Sequence, residues 1–325
     1  MSASPHQAES VLRRLEWTVV RRLDGLLQGD YRTLFRGFGL DLADLRDYQA
    51  YDDVRHIDWN VTARTGVPHV RVYNEDREVT VWFLLDLSPS VDFGSGEVSK
   101  RRVLGEFAAV LARLLTRQGN RAGAILHNGR DDFVVPPRNG RRHVLHMLDK
   151  ILAHPRLLRA PETDLGAFLN RSLLAIRRRS LVFVVSDFIS RPGWQKALSQ
   201  LSRRHEVVAV RLLDPLEAAL PDLGLMVFED AESGEQLFVD TADRGFRRRF
   251  LAEAERREAA LYAAFAEAGT DVLELSTADD LMDAILRFAD LRKVGAGVSG
   301  GGLPAHLTAG FGKEETGRAT DRVTP

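Results

Sequence analysis

Apolar positions follow two different spacings along this chain. Between Val79 and residue 213, runs of five or six apolar residues alternate with segments in which apolar residues recur every three or four positions. The runs are typical of buried strands, and the wider spacing is typical of amphipathic helices. Strands separated by helices in this way favour a mainly parallel sheet covered on both faces. We therefore predict an α/β fold, a doubly wound mainly parallel sheet of the Rossmann type.

The bounds of the elements follow from where each spacing begins and ends. Strands are predicted at 80–85, 122–127, 181–186 and 206–213, with a hairpin partner at 132–135, and helices at 99–118, 140–153, 164–178 and 192–203. The segment LMVFEDAESGEQLFVD indicates a hairpin that turns at Ser233 and Gly234, followed by a helix at 243–268 capped by Gly269, a strand at 271–275 and a helix at 278–291. Together these elements predict an α/β domain over 79–291.

The two ends of the chain differ from this domain. Residues 6–28 carry Leu12, Leu15, Val19, Leu23 and Leu26 at helical spacing, so we expect a helix that packs on its own chain or on a second subunit. Two strands at 53–61 and 68–74, joined across Thr65 and Gly66, would form a hairpin and complete an N-terminal region at 1–78. Residues 292–325 are rich in Gly, Ser, Thr and charge, which predicts a flexible tail.

Composition narrows the classes of function. The 45 Lys and Arg residues nearly balance the 46 Asp and Glu residues, which does not favour binding to nucleic acid. With no cysteine in the chain, thiolate metal sites and cysteine nucleophiles are excluded, and any metal must be held by oxygen or imidazole. No apolar run approaches the roughly 18 residues that a membrane span needs, and the N-terminus lacks signal-peptide order. We expect a cytoplasmic protein.

Oxygen-bearing side chains follow two of the predicted strands. Asp86, Ser88 and Ser90 come directly after the strand at 80–85, and Asp187 follows the strand at 181–186. Thr163 precedes the helix at 164–178, which places it at the same edge if the helix packs back in the usual right-handed sense. Carboxylates mixed with hydroxyls suit Mg²⁺ (or Mn²⁺), so we predict a metal site from these five residues. Each has a simpler explanation, since Asp, Ser and Pro favour turns and Thr163 or Asp187 could cap a helix or turn.

The same residues resemble a known metal site. Asp86-x-Ser88-x-Ser90, Thr163 and Asp187 are similar to the metal-ion-dependent adhesion site of von Willebrand factor A domains, in which such residues hold Mg²⁺ directly or through water. The upstream stretch YDDVRHIDWNVTARTGVPHVRVY resembles the hallmark of the bacterial domain-of-unknown-function family fifty-eight (DUF), whose members join it to a von Willebrand factor A-like domain. The residues of this motif are Tyr51, Asp52, Asp53, Arg55, Asp58, Trp59 and Arg64. They form either a binding surface or a buried network that fixes loops.

This resemblance implies partners more than chemistry. Members of the family resemble accessory factors of MoxR-type AAA+ ATPases, acting as adaptors or chaperone-like proteins in metal insertion or complex assembly. Many relatives carry membrane-spanning helices before the motif, whereas this chain has an amphipathic helix there. The resemblance therefore predicts a non-enzymatic, Mg²⁺-dependent protein-interaction module without a transmembrane segment.

Two alternatives follow from the same residues. Asp86 could be the nucleophile of a metal-dependent phosphatase-like hydrolase, but that chemistry uses a second Asp two residues later as the general acid, and here Ser88 occupies the position. His127, His143 and His146 could hold a metal, but Arg141 and Arg142 flank the latter pair, so we expect solvent-facing histidines.

Overall fold

A six-stranded sheet forms the centre of the molecule. The computed structural model describes residues 5–26, 44–49, 57, 59–72, 79–157, 160–229 and 234–295. The strands are β1 (Asp44–Asp47), β2 (His69–Val72), β3 (Thr80–Asp86), β4 (Arg121–His127), β5 (Asp132–Arg138), β6 (Leu181–Ser186), β7 (Glu206–Leu213), β8 (Leu225–Glu229), β9 (Gln236–Asp240) and β10 (Asp271–Ser276). The central sheet has the order β10-β7-β6-β3-β4-β5, and its β4–β5 pair is antiparallel while the other neighbours are parallel. The predicted doubly wound, mainly parallel sheet is confirmed.

Helices connect most of the strands. They are α1 (Pro5–Leu15), a π-helical turn (Glu16–Val20), α2 (Arg21–Leu26), α3 (Trp59–Thr65), α4 (Lys100–Arg117), α5 (Arg141–Ala153), α6 (Leu165–Ala175), α7 (Trp194–Arg204), α8 (Pro215–Ala218), α9 (Arg244–Ala268) and α10 (Leu281–Gly295). Every strand and helix predicted between 79 and 291 is present, with only its ends shifted, and Gly269 ends α9 in the left-handed conformation, as predicted. The turn predicted at Ser233 and Gly234 lies partly outside the described residues.

Alternate residues of β3 enter two separate hydrophobic cores. Val81, Phe83 and Leu85 pack with α4, α5 and α10 on one face of the sheet, whereas Trp82 and Leu84 pack with α6, α7 and α9 on the other. Successive side chains of a strand point to opposite faces, so an unbroken apolar run is what a sheet covered on both sides requires. This burial holds the carboxyl end of β3 rigidly in the middle of the domain.

The N-terminal helices are part of the first core. Leu12, Leu15 and Leu23 are fully or almost fully buried there, and α1 contacts α4 and α5. Arg141 of α5 also pairs with Glu9 and Glu16, at 2.8 and 3.1 Å. The contact is therefore intramolecular, which is one of the two arrangements that the helical spacing predicted.

The predicted hairpin at 53–61 and 68–74 is wrong in two respects. Residues 59–65 are helical, and β2 pairs antiparallel with β1 instead. Gly66, with φ of 73°, donates its N–H to the carbonyl of Thr62 and so ends a helix instead of turning a hairpin. A left-handed glycine serves either role, and helical hydrogen bonds outweigh the strand propensity of Trp, Val and Thr here.

The C-terminal end differs slightly from the prediction. Helix α10 continues to Gly295, four residues past the predicted end, while the rest of the predicted tail at 292–325 lies outside the described residues. Within the ranges that the structure describes, no helix combines the length and the apolar character needed to cross a bilayer.

Candidate metal centre

The candidate site lies where the strand order of the sheet reverses. Strands β3 and β6 are parallel neighbours, so their carboxyl ends meet at one edge. Asp86 is the last residue of β3, and Asp187 directly follows β6. Ligands of open α/β sheets bind at this kind of crevice, because the connections leave in opposite directions and no helix covers it.

Asp86 is buried and is held by two hydrogen bonds. Its Oδ1 accepts from the backbone N–H of Ser88 at 3.0 Å, and its Oδ2 accepts from the hydroxyl of Ser186 at 2.7 Å. Burial, together with the negative charge of Asp187, raises the pKa of Asp86. No ion pair within the described residues reaches this carboxylate, so its charge has no cation in direct contact.

The two serines after β3 are brought together by a short turn. Ser88 precedes the 3₁₀ turn Pro89–Asp92, and the N–H of Val91 donates to the carbonyl of Ser88. The hydroxyl oxygens of Ser88 and Ser90 are 3.2 Å apart, and both residues are buried. The Ser/Pro turn is therefore real, and it is also what gathers the hydroxyls beside Asp86.

Thr163 reaches the same edge through a bridge between two loops. Its carbonyl accepts from the N–H of Arg191 at 2.9 Å and from the hydroxyl of Ser190 at 2.8 Å, which ties it to the loop after β6. Thr163 itself is completely buried. The helix cap of α6 is Asp164, whose carboxylate accepts from the N–H of Ala167 at 2.8 Å. Capping therefore does not explain Thr163.

Asp187 accepts two hydrogen bonds of different kinds. Its Oδ1 accepts from the N–H of Ile189 at 3.0 Å, which is the turn that its sequence context predicts, and its Oδ2 accepts from Lys100 Nζ at 2.8 Å. The next residue, Phe188, has a left-handed φ of 59° and packs between Trp194 and Phe265. A bulky residue is strained in this conformation, so the aromatic contacts fix the loop that carries Asp187.

Sequence reasoning missed three residues of this edge. Ser186 binds Asp86 directly, and its place at the end of a strand beside Asp187 was a signal that could have revealed it. Lys100 lies at the start of the predicted helix at 99–118, and nothing in its sequence context indicated that its side chain is fully buried and binds Glu217 at 2.7 Å. Glu217 lies in α8, which has only 4 residues and is too short for a periodic pattern to predict it.

The expectation that the histidines face solvent was wrong for two of the three residues. His146 is exposed, as expected. His127 is buried at the end of β4, bonded to Asp132 at 2.7 Å and stacked on Phe168. His143 is half-buried and bonds the carbonyl of Ala122 at 2.8 Å. The rings fill gaps between helices and sheet, which is why they are withdrawn from solvent.

The donor set at this edge fits a hard divalent cation. Asp86 and Asp187 supply carboxylates, and Ser88, Ser90 and Thr163 supply neutral hydroxyls, which are ligand types that Mg²⁺ accepts. Burial and the negative charge of Asp187 raise the pKa of Asp86, and a bound cation would favour its charged form. Across the described residues, His, Asp and Glu nowhere form a metal-holding group of three, so a site here depends on the hydroxyls.

The upstream motif is only partly described. Trp59 and Arg64 lie on α3 and are both exposed, with 68% of Trp59 accessible. This favours a surface over a buried network for these two residues. The other motif residues, Tyr51, Asp52, Asp53, Arg55 and Asp58, lie outside the described residues.

The chain is similar to several known proteins. An uncharacterized protein of Mycobacterium tuberculosis, Rv1480, is 38% identical over 289 residues, covering 88% of this chain and 90% of its own length. Among solved structures, the hypothetical protein BatB from Bacteroides thetaiotaomicron is similar at 15% identity and a TM-score of 0.43, covering 66% of this chain and 99% of that chain. The von Willebrand factor A (VWA) domain of SpRpn10 is similar at 10% identity and a TM-score of 0.38, covering 65% and 95%. The family model of the protein of unknown function DUF58 matches residues 44–260, and the chain belongs to that family.

Proposed function

We propose that this protein is a non-enzymatic, Mg²⁺-dependent protein-interaction module. It would act as an adaptor or chaperone-like partner of a MoxR-type AAA+ ATPase in complex assembly or maturation. The observation that carries the proposal is the buried carboxylate of Asp86, which has no cation in direct contact among the described residues and shares its edge with Asp187 and three hydroxyls. A bound Mg²⁺ would offer an open coordination position to a carboxylate of the partner.

The rim of the site supports a protein as the ligand. Phe93 and Ile189 are 39% and 47% exposed and lie on the loops that follow β3 and β6. Exposed aromatic and aliphatic side chains beside a polar site can supply the apolar contact area of a protein interface. The partner surface would present an acidic residue beside apolar ones.

The arrangement of groups supports binding over hydrolysis. A phosphatase-like hydrolase with Asp86 as its nucleophile would need an Asp as general acid two residues later, and Ser88 occupies that position. The hydroxyl of Ser88 lies beside that of Ser90 instead. Asp86 is immobilised by Ser88 and Ser186, which suits a ligand-holding carboxylate. If Asp86 were a nucleophile, the protein would turn over a generic phosphate ester and Asp86→Asn would abolish that turnover. We expect no turnover from either form.

The test measures metal and partner binding in parallel. Calorimetric titration with Mg²⁺ should give saturable binding that Asp86→Ala abolishes, while Asp131→Ala, an exposed carboxylate in the β4–β5 turn at the same edge, leaves it intact. A co-expressed MoxR-type AAA+ ATPase should then be captured in Mg²⁺ and released in EDTA. Capture that persists unchanged in EDTA, or in Asp86→Ala, would overturn the metal-dependent mode of binding.

A further inference from the structure

Lys100 is a fully buried lysine that contacts the candidate metal site. Its ammonium lies 2.8 Å from Asp187 Oδ2 and 2.7 Å from Glu217 Oε1, and its side chain has no accessible surface. Phe93 covers it, with the ring centroid 5.9 Å from Nζ. Lysine is almost never fully buried unless it is paired, so these two carboxylates account for its position.

Lys100 lies at the end of its helix where a positive charge is unfavourable. It is the first residue of α4, directly after the cap residue Ser99. A positive charge is disfavoured at the N-terminal end of a helix, where the macrodipole is itself positive. Lys100 therefore gains nothing from its own helix, and the charges of Asp187 and Glu217 must offset both the dipole and the loss of solvent.

Glu217 is held in place independently of Lys100. Its Oε2 accepts from the backbone N–H of Asp214 at 3.1 Å, and Asp214 in turn caps α8, so the two residues form a capping box. The remaining oxygen, Oε1, is the one that faces Lys100. Lys100 thus bridges a fixed carboxylate on α8 and a predicted metal ligand after β6.

We propose that Lys100 is the internal counter-ion of this site and sets its affinity for divalent cations. This inference rests on the proposed Mg²⁺ site. The ammonium neutralises Asp187 and occupies one of its oxygens, and it adds a positive charge close to where a cation would be held. Both effects weaken cation binding, because like charges repel strongly where little water screens them.

The direct test is Lys100→Met, which keeps the length of the side chain and removes its charge. We expect Mg²⁺ affinity, measured by calorimetry, to rise by about tenfold or more, because the variant removes a like charge from beside the cation where little water screens the repulsion. Lys196→Met removes the same charge from an exposed position on α7 and should leave affinity unchanged. An affinity in Lys100→Met equal to or weaker than that of the wild type would overturn the inference.

A second variant covers the case in which Lys100→Met does not fold. Glu217→Gln keeps the capping box, since Gln also accepts that bond, but leaves Lys100 to Asp187 alone. Its Mg²⁺ affinity should fall by about threefold or more relative to the control Glu162→Gln. The control also removes a carboxylate near the site, but Glu162 pairs with Arg191 and not with Lys100. Equal affinities in these two variants would overturn the inference.

The outcomes separate this inference from the proposed function. Wild type and Lys100→Met that bind Mg²⁺ equally would leave the metal site standing and remove the role of Lys100. If Lys100→Met binds Mg²⁺ and the wild type does not, the role of Lys100 would be supported, and the proposed Mg²⁺ dependence of the wild type would be overturned. Absence of binding in both proteins, each folded by circular dichroism, would overturn both.

Discussion

Ser186 donates its hydroxyl hydrogen to Asp86 Oδ2 across the gap between β6 and β3, over 2.7 Å. The same hydroxyl oxygen accepts from the N–H of Phe188 at 2.9 Å, so one side chain joins Asp86 to the loop that carries Asp187. Groups that orient a metal ligand in this way matter almost as much as the ligand. Ser186 is thus a positioning residue of the candidate site.

The first prediction follows from this bond. Ser186→Ala should weaken Mg²⁺ binding by about tenfold, because Asp86 loses the partner that fixes its orientation. Calorimetric titration measures the effect, and Ser202→Ala, which removes a hydroxyl bonded to the carbonyl of Leu198 on α7, serves as the control. Equal Mg²⁺ affinity in the two variants would show that Asp86 needs no such support.

The second prediction separates a metal ligand from a helix cap. Thr163→Val keeps the shape of the buried side chain and should lower Mg²⁺ affinity by about tenfold while leaving α6 intact. Asp164→Ala should lower the free energy of unfolding by about 1 kcal/mol and leave Mg²⁺ affinity unchanged, because it removes only the cap. Calorimetry and urea unfolding of both variants test this. The reverse pattern would return Thr163 to a structural role.

The third prediction concerns the N-terminal helix. Leu12 has no accessible surface, so Leu12→Ala should lower the free energy of unfolding by about 2–5 kcal/mol. Trp17 in the following turn is 67% exposed and contacts Arg21, so Trp17→Ala should cost less than about 1 kcal/mol. Urea unfolding monitored by circular dichroism provides both values. Similar small losses would mean that α1 unfolds separately from the sheet.

The fourth prediction is a pH dependence of stability. Both ring nitrogens of His205 are buried and make no hydrogen bond to any described residue. Burial, assisted by the charge of Arg204, lowers the pKa of His205 below its ordinary value near 6.5. The unfolded chain therefore binds a proton more readily than the folded chain, so the stabilisation is complete above about pH 6.5 and is lost progressively as pH falls below it.

Replacing the ring should reduce this dependence. His205→Leu should flatten the decline in the free energy of unfolding between about pH 7.5 and 5.5, since no buried imidazole must then remain neutral. Urea unfolding across that range measures it, with the exposed His146→Gln as the matched control. Burial also lowers the pKa of His143 and His154, so part of the slope should remain. An unchanged slope in His205→Leu would contradict the assignment.

Much of the fold could be predicted from the sequence because its signals are local. The apolar runs of β3 and β6 and the periodicity of α4 are read within a dozen residues, and burial on both faces of the sheet follows from them. The hairpin predicted around Trp59–Thr65 was wrong because Gly66 fits either a hairpin turn or a helix end. A seven-residue segment offers too few positions for periodicity to decide between them.

For this protein the sequence by itself determined which segments form the central sheet and that Asp86 and Asp187 stand at the ends of two of its strands. The apolar runs mark where each strand ends, and parallel strands bring their carboxyl ends to the same edge of the sheet. Only the tertiary structure decided that Lys100 reaches Asp187, 87 positions away, that Ser186 orients Asp86, and that Asp164 and not Thr163 caps α6. Contacts between distant residues leave no periodic trace along the chain, and they form only because packing brings their elements together.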